Sequence, residues 1–182
     1  MQVADELFAA DAPHGISLAL VVMHRGEVMF ERSGVQPDSI FGAGAPVSAE
    51  TSLISWSMAK SITHAAVGIL VSDGLLELGS PAPVAEWRGT PKEAITLRDL
   101  LEMRSGLEWV EDYIDDSVSH CLEMLFGGGQ NDMAAYAAGL PMTQRPGSTW
   151  NYSSGTTNII CRILGDVVGG GEAQAPGPLV DG

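Results

Sequence analysis

The stretch Trp56-Ser57-Met58-Ala59-Lys60 runs directly into an apolar segment, residues 61–70, that reads SITHAAVGIL. It holds one of the two lysines of the chain, three residues after a serine, where a helix is expected to begin. From Ser57 to Ser72 the apolar residues Met58, Ile62, Ala65, Ala66, Ile69 and Leu70 recur at helical spacing, and Asp73-Gly74 ends the run. The segment is apolar nearly all round, which predicts a central, buried helix. An ammonium in the first helical turn faces the positive end of the dipole, and burial strips its solvation. A lysine placed where its charge is least favoured is a candidate base.

A serine and a lysine three residues apart on a helix share one face. A lysine relieved of its proton can take the hydroxyl proton and make Ser57 a nucleophile. The Ser57 N–H, at a helix start, can donate to an oxyanion. The S-x-x-K pattern alone arises by chance roughly 0.2 times in a chain of this composition. The alternative reading makes Ser57 a helix cap and Lys60 a solvated first-turn residue. A second segment, WNYSSGTTN at residues 150–158, places Tyr152, Ser153 and Ser154 in a loop before another helix. A lysine ammonium beside a tyrosine favours the phenolate, so Tyr152 can relay protons between nucleophile and leaving group. The bland alternative is a tyrosine packing where that helix starts.

Upstream, residues 16–24 (ISLALVVMH) and 27–32 (EVMFER) are rich in β-branched and apolar residues and are separated by Arg25-Gly26, which predicts a β-hairpin. Residues 34–50 form a Gly-, Pro- and Ala-rich loop. Downstream the chain is mostly helical from about 75 to 168. Thr96 followed by Asp99 resembles a capping box with Asp in place of Glu. Helical patterns follow at 118–126 and 131–138, then a loop over 141–155 and a last helix over 156–168. Residues 169–182 are Gly- and Pro-rich without periodicity and are expected to form a disordered tail. An isolated two-stranded hairpin is marginal in water. Either this one packs wholly on helices, or the strands that complete its sheet are absent.

The chain has 182 residues, 45% hydrophobic and 18% charged, with a net charge of −14. Such a composition describes a globular protein with one core. Its acidity argues against nucleic acid and anionic membranes as partners. No apolar run reaches transmembrane length and no leader pattern opens the sequence, so a cytoplasmic protein is expected. Cys121 and Cys161 fit no metal spacing, lie in apolar helical patterns and are expected to be buried free thiols. A homo-oligomer is compatible with the sequence.

The segments SWSMAKSITHAAVGILVSDGLLEL, ITLRDLLEMRSGLEW and RPGSTWNYSSGTTNII occur in this order. They resemble the nucleophile helix, the segment after it and the tyrosine loop of serine β-lactamase-like and penicillin-binding-protein-like hydrolases. With EDYIDD and MLFGGGQNDMAAYAAGLP, the pattern is most similar to the esterase and 6-aminohexanoate-dimer hydrolase branch, over about residues 10–168. The resemblance implies an α+β fold, with an antiparallel sheet packed on a nucleophile-bearing helix and only the N-terminal hairpin of that sheet present. Residues 1–168 would be the N-terminal portion of one hydrolase domain. It also implies Ser57 as nucleophile, Lys60 as its activator and Tyr152 as proton shuttle, with no cofactor or metal. The substrate would be a small ester or short linear amide. Ser154 stands where related β-lactamases often carry Asn, which favours an esterase or amidase. Family members run to about twice this length, and their second half supplies a strand with the second oxyanion donor. The chain alone is therefore expected to be weakly active or inactive. The remaining alternatives are a β-lactamase or transpeptidase, and a non-catalytic chain that acts by binding.

Trp56 and Trp150 flank the two motifs and read equally well as walls of a substrate pocket or as core residues. The acidic run from Glu108 to Asp116 reads as a solvated loop rather than a site for an amine or cation. His14, His24, His64 and His120 show no metal-binding spacing. His64, four residues past Lys60, reads as a core or surface histidine rather than a site residue.

Overall fold

Arg25 and Gly26 adopt φ values of +50° and +86°, the left-handed pair that a two-residue hairpin loop needs to match the twist of its strands. In a computed structural model of the chain, which describes residues 2–9, 15–40, 42–113 and 118–169, this turn joins β1 (Ala19–His24) to β2 (Glu27–Ser33). The strands pair antiparallel from His24↔Glu27 to Ala19↔Ser33, with a bulge between Val22 and Met23. The chain divides into two compact units, Met1–Ile54 and Ser55–Gly182. The first contains the hairpin, the loop that follows it, and a helix α1 (Gln2–Leu7) that sequence patterning does not announce. Arg32 on β2 holds α1 through Asp5 at 2.8 Å and lies 4.7 Å over the Phe8 ring. The loop after β2 is braced by isolated bridges, Val35↔Pro46 and Ser39↔Gly42.

The second unit is helical: α2 (Ala59–Ser72), α3 (Leu97–Leu101), α4 (His120–Phe126), α5 (Met133–Gly139) and α6 (Ser154–Val167). Its centre is α6, whose Ile159, Ile160 and Ile163 are fully buried at the three-to-four spacing of one helical face. They meet Trp87, Ile95, Leu97 and Leu100 in one continuous core. Small residues let α5 and α6 approach closely: a Cβ on Gly155 would overlap the Trp109 ring and lie 2.9 Å from the Ala137 Cβ. The expected capping box is present, with the Thr96 side chain accepting from Asp99 N and Asp99 Oδ2 accepting from Thr96 N at 3.0 Å.

α2 differs from expectation. Val67 is its only buried residue, whereas Ile62 and Ile69, like Met58 just before the helix, are exposed. The apolar pattern predicted burial on every side, but within its unit α2 presents a single stripe to α6. Cys161 is likewise exposed rather than buried, because its thiol faces the open cleft beside α2, 3.8 Å from Thr63 Oγ1, while Cys121 is buried on α4. Both thiols are free. Among the described residues no helix is long and apolar enough to cross a membrane. The expected tail beyond Gly169, His14, and residues 114–117 of the acidic run lie outside the described residues.

Candidate active site

A 3₁₀ turn, Trp56–Met58, leads into α2 and carries Ser57 at its centre. Trp56 enters that turn at φ +46°, a left-handed conformation that costs a non-glycine residue about 1–2 kcal/mol. Ser57 is not a helix cap. Its hydroxyl lies 3.1 Å from Lys60 Nζ, in the first turn of α2, and accepts from the Tyr152 hydroxyl at 2.6 Å. The half-buried Lys60 ammonium position also lies 5.2 Å from the centre of the Tyr152 ring. Serine, lysine and tyrosine, singled out from the sequence, thus converge on one oxygen.

The segment before α6 is fixed on both sides of Tyr152. Asn151 donates from its backbone to Met103 O at 2.8 Å and from its side chain to Trp109 O at 2.9 Å. Ser153 caps α6 by accepting from Thr156 N at 3.1 Å. Tyr152 therefore leaves the backbone between two anchored residues. Ser154, at the first position of α6, places its hydroxyl 3.3 Å from Lys60 Nζ.

Glu111 is the residue that the sequence reading missed. The acidic run was expected to be solvated, but the Glu111 carboxylate is half-buried and accepts four hydrogen bonds. These come from Ser154 N at 2.8 Å, Ser154 Oγ at 2.7 Å, Trp109 Nε1 at 2.8 Å and the Tyr113 hydroxyl at 2.8 Å. Burial alone would raise its pKa, yet these donors, the Ser154 N–H first among them, outweigh burial and hold it below the ordinary carboxylate value. Tyr113 also lies 3.2 Å from Cys121 Sγ, and burial together with these neighbours pushes its phenol well above the usual value. The available signal was the alternate spacing of Trp109, Glu111 and Tyr113, whose side chains meet at the Glu111 carboxylate.

A cleft of about 430 Å³ opens beside Ser57 and Lys60. Trp56, Cys161, Leu122, Leu125 and Phe126 contribute to its walls, with Glu111 and Ser154 at its polar side. Trp150 lies apart from it, in a second cleft of about 340 Å³, with its ring 6.4 Å from that of Tyr152. Both tryptophans are exposed. His64 is exposed and does not line the cleft, His24 is exposed within the first unit, and His120 accepts from Val110 N through Nδ1 at 2.8 Å. Among the described residues no group of three or more His, Cys, Asp or Glu side chains is arranged to hold a metal ion.

The chain belongs to the Beta-lactamase family, whose model matches residues 5–174. Its fold resembles that of a Bacillus anthracis protein assigned as a 6-aminohexanoate-dimer hydrolase, with a TM-score of 0.60 and 20% identity over 84% of this chain and 40% of that one. It also resembles the D-amino acid amidase of Ochrobactrum anthropi SV3, solved with L-phenylalanine, with a TM-score of 0.54, 20% identity and the same two coverages, 84% and 40%. The chain thus spans 40% of the length of these two structures. At 20% identity the likeness is one of fold. No curated protein matches the chain.

Proposed function

We propose that the chain carries the nucleophile of a serine hydrolase that cleaves an ester or short linear amide through an acyl-enzyme. The observation that carries this reading is the pair of contacts on Ser57 Oγ, from Lys60 Nζ at 3.1 Å and the Tyr152 hydroxyl at 2.6 Å. Ser57 Oγ attacks the substrate carbonyl carbon while its proton passes to Lys60. The Ser57 N–H, in the first turn of a helical segment, is one donor for the developing oxyanion. Tyr152 then delivers a proton to the departing alcohol or amine and is reprotonated from Lys60. Water hydrolyses the acyl-serine by the reverse relay, giving a carboxylic acid and restoring Ser57.

The two structures of similar fold are named as a 6-aminohexanoate-dimer hydrolase and a D-amino acid amidase, which supports a linear amide as substrate. A β-lactam is the alternative acyl donor for the same nucleophile, and a panel of esters, linear amides and β-lactams separates the two. The test of the core proposal is covalent labelling of the purified 182-residue chain with a fluorophosphonate, read by intact mass and peptide mapping. A single adduct on Ser57, absent from Ser57→Ala, is expected. A folded chain that takes no adduct, or takes it elsewhere, would refute the assignment.

A further inference from the structure

We propose that Glu111 is a positioning residue that acts through Ser154 to aim the Lys60 amine at Ser57. The inference rests on the acyl-transfer reading above and extends it to a residue without direct contact to the nucleophile. A serine hydroxyl has one proton and two lone pairs. A carboxylate only accepts, so the Ser154 proton is committed to Glu111 Oε1 at 2.7 Å. What Ser154 Oγ turns toward Lys60, at 3.3 Å, is therefore a lone pair, and Lys60 must donate an N–H to it. On a neutral, tetrahedral amine that bond fixes one N–H. The nitrogen lone pair is thereby excluded from the direction of Ser154 and confined to the two remaining positions, from which it can reach Ser57 Oγ, 3.1 Å distant. A lysine without this anchor samples several rotations, only some of which present the lone pair.

The carboxylate is suited to this task because it is itself immobile. Trp109, Tyr113 and the Ser154 backbone occupy its other acceptor sites, and Trp109 is buried against Gly155 of α6. Four donors on one carboxylate leave it little capacity to bind a substrate amine, so its role is directed inward. The sense of the hydrogen-bond chain depends on the charge. Protonation of Glu111, or replacement by an amide, would free the Ser154 proton to turn toward Lys60 and compete for its lone pair.

The experiment compares fluorophosphonate labelling rates at Ser57 in the wild type, Glu111→Gln, Ser154→Ala and the double variant. Each single change should slow labelling about tenfold, the worth of one hydrogen bond to a charged group. The double variant should be no slower than Ser154→Ala, because both changes break the same connection. A purely structural Glu111 would instead give losses that multiply, and that result overturns the proposal, as does wild-type labelling by Ser154→Ala. A second readout is independent of Ser57: the rate of reductive methylation of Lys60 relative to Lys92, the other lysine of the chain. Ser154→Ala should raise this ratio several-fold, and an unchanged ratio overturns the anchoring. If Glu111→Gln does not fold, Ser154→Ala decides through both readouts. If the wild type takes no label, the acyl-transfer reading fails, while the methylation ratio still decides whether Lys60 is held.

Discussion

The Tyr152 hydroxyl donates to Ser57 Oγ at 2.6 Å, joining residues 95 positions apart in the chain. This contact depends on two anchors outside the pair, Asn151 on Trp109 and Ser153 capping α6. Removing the hydroxyl while keeping the ring tests the relay with little structural change. Tyr152→Phe should slow Ser57 labelling and any ester turnover by about 10²- to 10⁴-fold, the usual worth of a general acid–base group. Its urea midpoint should stay close to that of the wild type. Wild-type labelling by this variant would remove Tyr152 from the mechanism.

Glu111 also couples stability to pH. Its folded-state pKa lies below the ordinary value of 4.5, so the folded carboxyl gives up its proton more readily than the unfolded one. Its contribution is fully present above that value and is lost as pH falls through the lower, folded value. The stability difference between wild type and Glu111→Gln should therefore be widest near neutrality and narrow under acid. Urea unfolding at a series of pH values measures it, and a difference that widens toward low pH would contradict the bonding described.

Gly155 is placed where α6 crosses the Trp109 indole. A methyl group there overlaps the ring and crowds Ala137, so Gly155→Ala should destabilise the chain despite the better helix propensity of alanine. The expected cost is about 1–3 kcal/mol, typical of overpacking a dense core. Because Trp109 donates to Glu111, the same substitution should also slow Ser57 labelling. A stabilised variant would mean that the two helices have room that the structure denies.

Thr96 and Asp99 cap α3 reciprocally, and Thr96→Ala should cost about 1 kcal/mol. The site is remote from this cap in sequence and hydrogen bonding, so the labelling rate of the folded variant should be unchanged. Unfolding curves combined with labelling separate the two effects.

The thiols give a further test. Cys161 is exposed on the wall of the Ser57 cleft, whereas Cys121 is buried. A disulfide reagent should modify one thiol quickly and the other only on unfolding. A bulky adduct on Ser57 should slow the fast reaction several-fold if the cleft holds it, since a cleft of about 430 Å³ accommodates a group of that size.

The local features were legible because their signals are local. Arg25-Gly26 between two β-rich segments specifies a tight turn, Thr96 and Asp99 specify a cap, and Ser57 and Lys60 are neighbours on any helix. Tyr152 was found through the motif around it. Glu111 was not, because its role is created by Ser154, 43 residues away, and charge density alone reads the same whether a carboxylate is solvated or enclosed. The exposure of α2 escaped for a related reason. An apolar period identifies what a helix offers for packing, and says nothing of how much of that surface its neighbours cover. Cys121 and Cys161 sit in similar apolar patterns, and only the packing around α4 and α6 distinguishes them.

The four tryptophans divide by location in a way that gives the molecule two separate optical signals. Trp87 and Trp109 are 1% and 6% exposed, while Trp56 and Trp150 are 80% and 65% exposed. The exposed pair flanks Ser57 and Tyr152, so a collisional quencher such as iodide reaches the indoles at the site and spares those inside. Emission that survives the quencher reports whether the helical core is intact. The quenchable, red-shifted fraction reports what stands beside the serine, without any attached dye.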